Sequence, residues 1–253
     1  MVRRAEYVLP GYGGPALTAL LISDIHVAGP DMPPARLARI VAQINRLHPD
    51  LVLIAGDLIG DKPVATRIYA MKDVVAPLAG LRSRLGTFAV LGNHDHWRSS
   101  SEATAALRAI GVTVLTNDAV RVEPLALAGL DDDFTDHADL PRTLARQREV
   151  GGLPILLSHS PDPFRALPAG PMLMLAGHTH CGQIRLPLVG AVSTMSDFGD
   201  RYACGLVREA GKTLIVGAGV GTSILPLRLG AVPDMWLIRL VPGSGGNMAA
   251  APG

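Results

Sequence analysis

Leu51-Val52-Leu53-Ile54-Ala55-Gly56-Asp57 is an unbroken apolar run that stops at a glycine and a carboxylate. A short continuous apolar run reads as a strand buried on both faces, as in parallel sheets. The pattern recurs on either side of it. Ala19-Leu20-Leu21-Ile22 runs into Ser23-Asp24-Ile25-His26, and Phe88-Ala89-Val90-Leu91 runs into Gly92-Asn93-His94-Asp95. Further on, Ile155-Leu156-Leu157 meets Ser158-His159, and Met172-Leu173-Met174-Leu175-Ala176 meets Gly177-His178-Thr179-His180. In α/β folds, sites form just outside the carboxyl ends of such strands. The repetition predicts one shared site built from Asp24, His26, Asp57, Asn93, His159, His178 and His180, a metal centre with room for two ions.

Histidine usage supports that reading. Of the eight histidines, His26, His94, His159, His178 and His180 sit at or beside these strand ends. Carboxylate, imidazole and amide ligands without thiolate suit Mn, Fe, Zn or Co rather than a cysteine-rich structural zinc site. Asp24-x-His26 and His178-x-His180 each place two side chains on the same side of an extended segment. Two such pairs facing each other can hold two ions, with one carboxylate between them.

Composition sets the background. The chain has 253 residues, 48% hydrophobic and 18% charged. That is ordinary for a globular core and excludes disorder for most of the length. A net charge of +1 gives no electrostatic case for a nucleic acid polymer or an anionic membrane. Cys181 and Cys204 are too few for a disulfide framework. Cys181 reads as a small buried residue or a pocket-wall thiol, and a reducing cytoplasm is the expected location. Arg3 and Arg4 precede no apolar h-region, because Glu6, Pro10, Gly11, Gly13 and Gly14 interrupt it, so no signal peptide is read. The longest apolar run, 16–22, is far too short for a membrane span.

The first half alternates strands and helices. Pro33-Pro34 opens a helix with Leu37, Ile40, Val41, Ile44 and Leu47 on one face. A second helix is expected over 65–81, ending near Pro77. Ser99 with Glu102 suggests a capping box for a helix reaching Gly111, and 112–115 reads as a short strand. Residues 120–122 and 125–129 read as a hairpin, Asp131-Asp132-Asp133 as an acidic loop, and 140–150 as a helix. Later strands are expected over 183–186, 202–207, 213–216 and 236–240. The Gly-, Ala- and Pro-rich tail 242–253 reads as disordered. A single domain over 1–241 is expected.

The blocks D-x-H, G-D, G-N-H-D, H and G-H-x-H, in that order, resemble the calcineurin-like metallophosphoesterase superfamily. They span Asp24 to His180. The stretches at 129–132, 158–162, 177–187 and 219–223 resemble a bacterial phosphodiesterase-type branch. The resemblance implies an α/β fold, a four-layer αββα sandwich of two mixed sheets flanked by helices. It also implies two divalent ions. One would be held by Asp24, His26, Asp57 and His180, the other by Asp57, Asn93, His159 and His178. Asp57 would bridge, and a bridging hydroxide would attack phosphorus in line. His94 would act as acid or hydrogen-bond donor.

One position departs from the family pattern. Many relatives carry an Asp three residues after the bridging one, which orients the catalytic His; here that residue is Gly60, followed by Asp61. Asp61 or Asp95 is expected to substitute, so the catalytic set reads His94, Asp57 and Asp95. His96, Trp97 and Arg228 are expected to meet substrate, Arg228 because guanidinium suits phosphate. Asp131, Asp132 and Asp133 would rim the site. His48 and His137 read as structural or exposed. Gly217-Ala218-Gly219-Val220-Gly221 lacks the lysine of a phosphate loop and reads as a strand turn.

A small phosphodiester or pyrophosphate-linked substrate is favoured. A phosphomonoester, or a UDP-2,3-diacylglucosamine-type nucleotide-sugar lipid, is the alternative. Peripheral membrane contact would accompany the lipid. A non-catalytic interaction module is the remaining reading, disfavoured because every ligand position is present.

Overall fold

In the computed structural model, which describes residues 1–243, the apolar runs become the inner strands of two six-stranded sheets. The first sheet uses Val2–Leu9 (β1), Leu17–Ile22 (β2), Leu51–Ala55 (β3), Thr87–Val90 (β4) and Thr113–Val114 (β5). The second uses Asp118–Val122 (β6), Leu125–Gly129 (β7), Leu153–Leu157 (β8), Met172–Ala176 (β9), Gly205–Glu209 (β10) and Lys212–Val216 (β11). Met235–Pro242 (β12) returns to the first sheet, whose order is β1-β12-β2-β3-β4-β5; the second runs β10-β11-β9-β8-β7-β6. Parallel pairing joins β2 through β5, and likewise β7, β8, β9 and β11. Antiparallel pairs at β12·β2, β6·β7 and β10·β11 make both sheets mixed.

Strand alternation explains why the runs are apolar throughout. Leu21, Leu53, Val90, Leu127, Leu157 and Leu175 fill the space between the sheets. Their neighbours Leu20, Ile22, Val52 and Ile54 face outward onto helices. Those helices are Pro34–Asn45 (α1), Met71–Val75 (α2) and Asn93–Ala109 (α3). On the far side, Leu156 and Met174 pack with Phe164 and Tyr202, and with Leu140 and Leu144 of Leu140–Val150 (α4). The result is the expected order of layers, helix, sheet, sheet, helix, with every inner strand covered on both faces.

Several boundaries differ from expectation. The helix expected over 65–81 exists only as α2 and a 3-10 turn, Ala76–Gly80, with Pro77 in its first turn. Residues 66–68 pair instead with Gly29 and Ala28, which claims their backbone. Helix α3 starts earlier than expected, at Asn93, and Ser99 interrupts it in an extended conformation. Ser99 Oγ accepts from the Glu102 amide at 3.2 Å, so the cap restarts an existing helix. The strand expected over 202–207 lies at Gly205–Glu209, and that over 183–186 shrinks to Arg185–Leu186. Pro242 belongs to β12 and Gly243 follows it, and residues 244–253 of the expected tail lie outside the described residues. Cys181 is buried as expected but is no thiol, since it forms a disulfide with Cys204. No helix of the described residues is long and apolar enough to cross a membrane.

Leu53 is fully buried between the sheets. Leu53→Ala is expected to cost about 2–5 kcal/mol, while the exposed Val8→Ala should stay within about 0.5 kcal/mol. Urea unfolding of both variants checks this, and equal effects would contradict the two-sheet core.

Candidate metal centre

Five of the seven candidate ligands leave their strands through tight backbone bends. Asp24, His26, Asp57, His178 and His180 have φ values of 48°, 48°, 55°, 70° and 51°. The left-handed region is uncommon for residues with a Cβ and persists where the surroundings enforce it. Two motif glycines show that enforcement. A Cβ on Gly56 would lie 2.7 Å from His159 Nδ1, and one on Gly92 would collide with Asp57 Oδ1. Only glycine lets these two strand ends approach so closely.

The seven side chains form one connected, buried cluster, none more than 6% exposed. His26 Nε2 lies 3.0 Å from His180 Nε2, which lies 3.5 Å from Asp24 Oδ1. Asp57 Oδ2 sits between the two halves, 3.5 Å from His26 Nε2 and 3.3 Å from His159 Nε2. His159 Nε2 is in turn 3.1 Å from both Asn93 Oδ1 and His178 Nδ1. Donors around a cation with metal–nitrogen bonds near 2.0–2.1 Å stand roughly 3.0–3.5 Å apart. The spacing therefore fits divalent ions.

Tautomers fit as well. His26 Nδ1 lies 3.0 Å from the Ile59 carbonyl and His159 Nδ1 lies 2.7 Å from the Ala55 carbonyl. A carbonyl only accepts, so the proton sits on Nδ1 and a neutral ring turns its Nε2 lone pair inward. Burial pushes His26 and His178 down to about 3, which keeps both neutral. His178 Nε2 is buried without a hydrogen-bond partner. Burial lifts Asp24 to about 6. Burial would raise Asp57 too, but the charge of His159 prevails and holds it well below the ordinary carboxylate range. The mirror effect acts on His159: burial would lower its pKa, but the charge of Asp57 prevails and raises it.

The remaining expected residues divide. His94 Nδ1 lies 2.5 Å from Asp61 Oδ1, so Asp61 fills the place left by Gly60. Asp95 does not reach His94. Its carboxylate is fully buried and accepts from the amides of Leu58 at 3.0 Å and Gly92 at 3.1 Å, which braces the two ligand loops. Arg228 is committed to backbone acceptors around His180. It donates to the carbonyls of Ala218 and Gly221, each at 2.6 Å, and to that of His180 at 3.1 Å. Its carbonyl contacts tie the glycine-rich turn to a ligand.

Trp97 is exposed, with its ring 4.8 Å from that of His94. Phe134, which sequence reasoning missed, lies 4.8 Å from His178 and 6.2 Å from Trp97. A lone aromatic beside an acidic loop carries no periodic signal. Both rings are exposed beside histidines of the site. His96 is committed elsewhere: Nε2 is 2.8 Å from Asp131 Oδ1 and the ring stacks on His137 at 4.1 Å. Asp131 and Asp132 are buried rather than forming a solvated rim, and His48 is exposed.

The hydrogen bond to Asp131, against the opposing effect of burial, raises the pKa of His96. A raised histidine pKa contributes stability that is fully present below the ordinary value near 6.5 and is lost as pH rises through the folded value. His96→Gln should therefore be less stable than the parent at pH 6, with the gap closing by pH 9. Thermal melts across that range check this, and a gap that widens with pH would contradict it.

Residues 17–182 match the family described as calcineurin-like phosphoesterase. A bovine transmembrane protein with a metallophosphoesterase domain is 36% identical over 242 residues, covering 85% of this chain and 51% of that protein. Phosphodiesterase YaeI of Escherichia coli is 31% identical over 232 residues, covering 88% of this chain and 81% of its own length. The chain spans 51–60% of the length of several curated relatives. Among solved structures, the NAD nucleotidase NadN of Haemophilus influenzae shares the fold, with a TM-score of 0.50 at 17% identity over 81% of this chain and 50% of that one. With the family match extending from β2 through His180, the chain belongs to the calcineurin-like phosphoesterases.

Proposed function

We propose that residues 1–241 act as one metal-dependent phosphodiesterase domain. It would hold one divalent ion on Asp24, His26, Asp57 and His180, and a second on Asp57, Asn93, His159 and His178. The observation that carries the reading is Asp57 Oδ2, placed between the inward nitrogens of His26 and His159 at 3.5 and 3.3 Å. Two ions bound there would acidify a shared water and clamp phosphate oxygens as Lewis acids.

The chain's own residues supply the rest. Asp57 Oδ1 accepts the His94 amide at 2.9 Å, which fixes the loop carrying His94. Asp61 holds His94 Nδ1, leaving Nε2 to donate to a phosphoryl oxygen or a departing alkoxide. Burial would lower the His94 pKa, yet the bond to Asp61 and the charge of Asp57 outweigh it and raise it. His94 thereby keeps a proton to donate. Asn93 offers a neutral oxygen, which would leave a second ion there more positive charge for substrate. The name of YaeI favours a diester over a monoester.

Chelated protein reloaded with Mn, Fe, Zn or Co should cleave bis(p-nitrophenyl) phosphate faster than p-nitrophenyl phosphate. Asp57→Ala should abolish this, and His94→Ala should lower kcat about 10²–10⁴-fold. Asp61→Asn should lower kcat about 10-fold or more with KM little changed, as suits a positioning residue. A faster monoester reaction would overturn the diester reading, and full activity in His94→Ala would overturn the assigned donor.

A nucleotide-sugar lipid is the second reading, favoured by one observation. Leu186, Leu188, Val189, Ile224, Leu225 and Leu227 are exposed on two loops joined by the bond from the Arg185 amide to the Leu229 carbonyl. Arg228, in the second loop, donates to the His180 carbonyl. Large exposed apolar patches mark membrane or ligand contact. Leu188→Ser with Leu227→Ser should raise KM for a UDP-linked diacyl lipid while leaving the synthetic diester unaffected. Equal effects on both substrates would remove this reading.

A further inference from the structure

Cys181 follows the ligand His180 directly and is bonded to Cys204. Both cysteines line an open cavity of about 430 Å³, together with Arg3, Arg185 and Asp200. Cys181 is 3% exposed, whereas Cys204 is only partly buried. A small thiol reagent can therefore reach the bond from the Cys204 side.

The backbone at this point is unusual. His178, His180, Cys181 and Gln183 all take left-handed conformations, with φ of 70°, 51°, 53° and 31°. Non-glycine residues stay in that region only where surrounding bonds over-determine them. The disulfide and the hydrogen bond from Thr179 Oγ1 to the Ala203 carbonyl, 2.6 Å, tie the segment to residues 203–204. Gln183 and Arg228 brace the opposite side through backbone carbonyls of Ser223 and Gly221. The disulfide is the one covalent tether, and it is attached one residue from a candidate ligand.

We infer that Cys181–Cys204 is a thiol–disulfide exchange site that sets metal affinity at His180, an inference resting on the metal centre proposed above. The partner is a dithiol reductant. Its thiolate attacks Cys204 Sγ, the S–S bond breaks, and the electron pair leaves on Cys181 sulfur, which takes a proton. The second thiolate of the reductant then attacks the mixed disulfide. It closes the reductant's own disulfide and frees Cys204, which is protonated in turn. Two electrons and two protons pass from the dithiol to the protein. With the tether open, the strained segment relaxes and His180 loses its fixed aim. Loss of the structure that orients a ligand typically weakens metal binding about 10–100-fold. A reducing cytoplasm would hold the pair open, and an oxidising compartment would hold it closed.

The test is a Co²⁺ titration, followed by absorbance and calorimetry, on the same protein in two states. One is air-oxidised; the other is reduced with a phosphine and then freed of it under nitrogen. Alkylation under denaturing conditions and mass measurement count the thiols, and circular dichroism follows the fold. One of two Co²⁺ equivalents is expected to bind about 10–100-fold more weakly after reduction, with recovery on reoxidation. Cys204→Ser should match the reduced form without added reductant. Equal Co²⁺ affinity in the oxidised and fully reduced protein would overturn the inference while leaving the metal centre standing. Two alkylatable thiols that never pair in air would overturn it as well. Failure of the oxidised protein to bind Co²⁺ at all would overturn both.

Discussion

The carboxylate of Asp57, 2% exposed and flanked by two inward-facing imidazoles, is the constraint around which the site is arranged. A charge taken this far from water must be paired or must hold a cation. Asp57 Oδ1 is satisfied by the His94 amide, and Oδ2 faces His26 and His159. His26 and His159 are in turn aimed by carbonyls at Ile59 and Ala55. The carboxylate that would collect positive charge therefore also fixes the loop that carries His94.

The sandwich makes that anchor affordable. Two sheets packed through leucine, valine and isoleucine give rigid strand ends on a common edge, and each end can afford a strained bend. The candidate ligands come from both sheets: Asp24, His26, Asp57 and Asn93 follow strands of the first, and His159, His178 and His180 follow strands of the second. The cluster therefore spans the seam between sheets. Asp95 and Arg228 tie the loops on either side of it, Asp95 through the Leu58 and Gly92 amides and Arg228 through the His180 carbonyl.

Much of this was legible in the sequence because buried parallel strands are apolar on both faces, so their ends stand out. Strand β1 was not, since one of its faces is exposed and Arg3, Arg4 and Glu6 break the apolar signal. Helix α2 was overestimated because pairing of residues 66–68 with Ala28 and Gly29 overrides local helical propensity. The choice between Asp61 and Asp95 needed geometry: both lie close in sequence to motif residues, but only Asp61 reaches His94. Arg228 bears the right charge for phosphate, and only its depth reveals that backbone carbonyls consume it. The disulfide depends on two loops meeting across 23 residues, and two isolated cysteines give no sign of that.

Anomalous diffraction from a crystal grown with Zn²⁺, collected above and below the zinc edge, tests the central claim most directly. Two anomalous peaks are expected, both within bonding distance of Asp57, one also against His26 and His180 and the other against His159 and His178. A single peak, or two peaks that do not share Asp57, would contradict the bridging carboxylate.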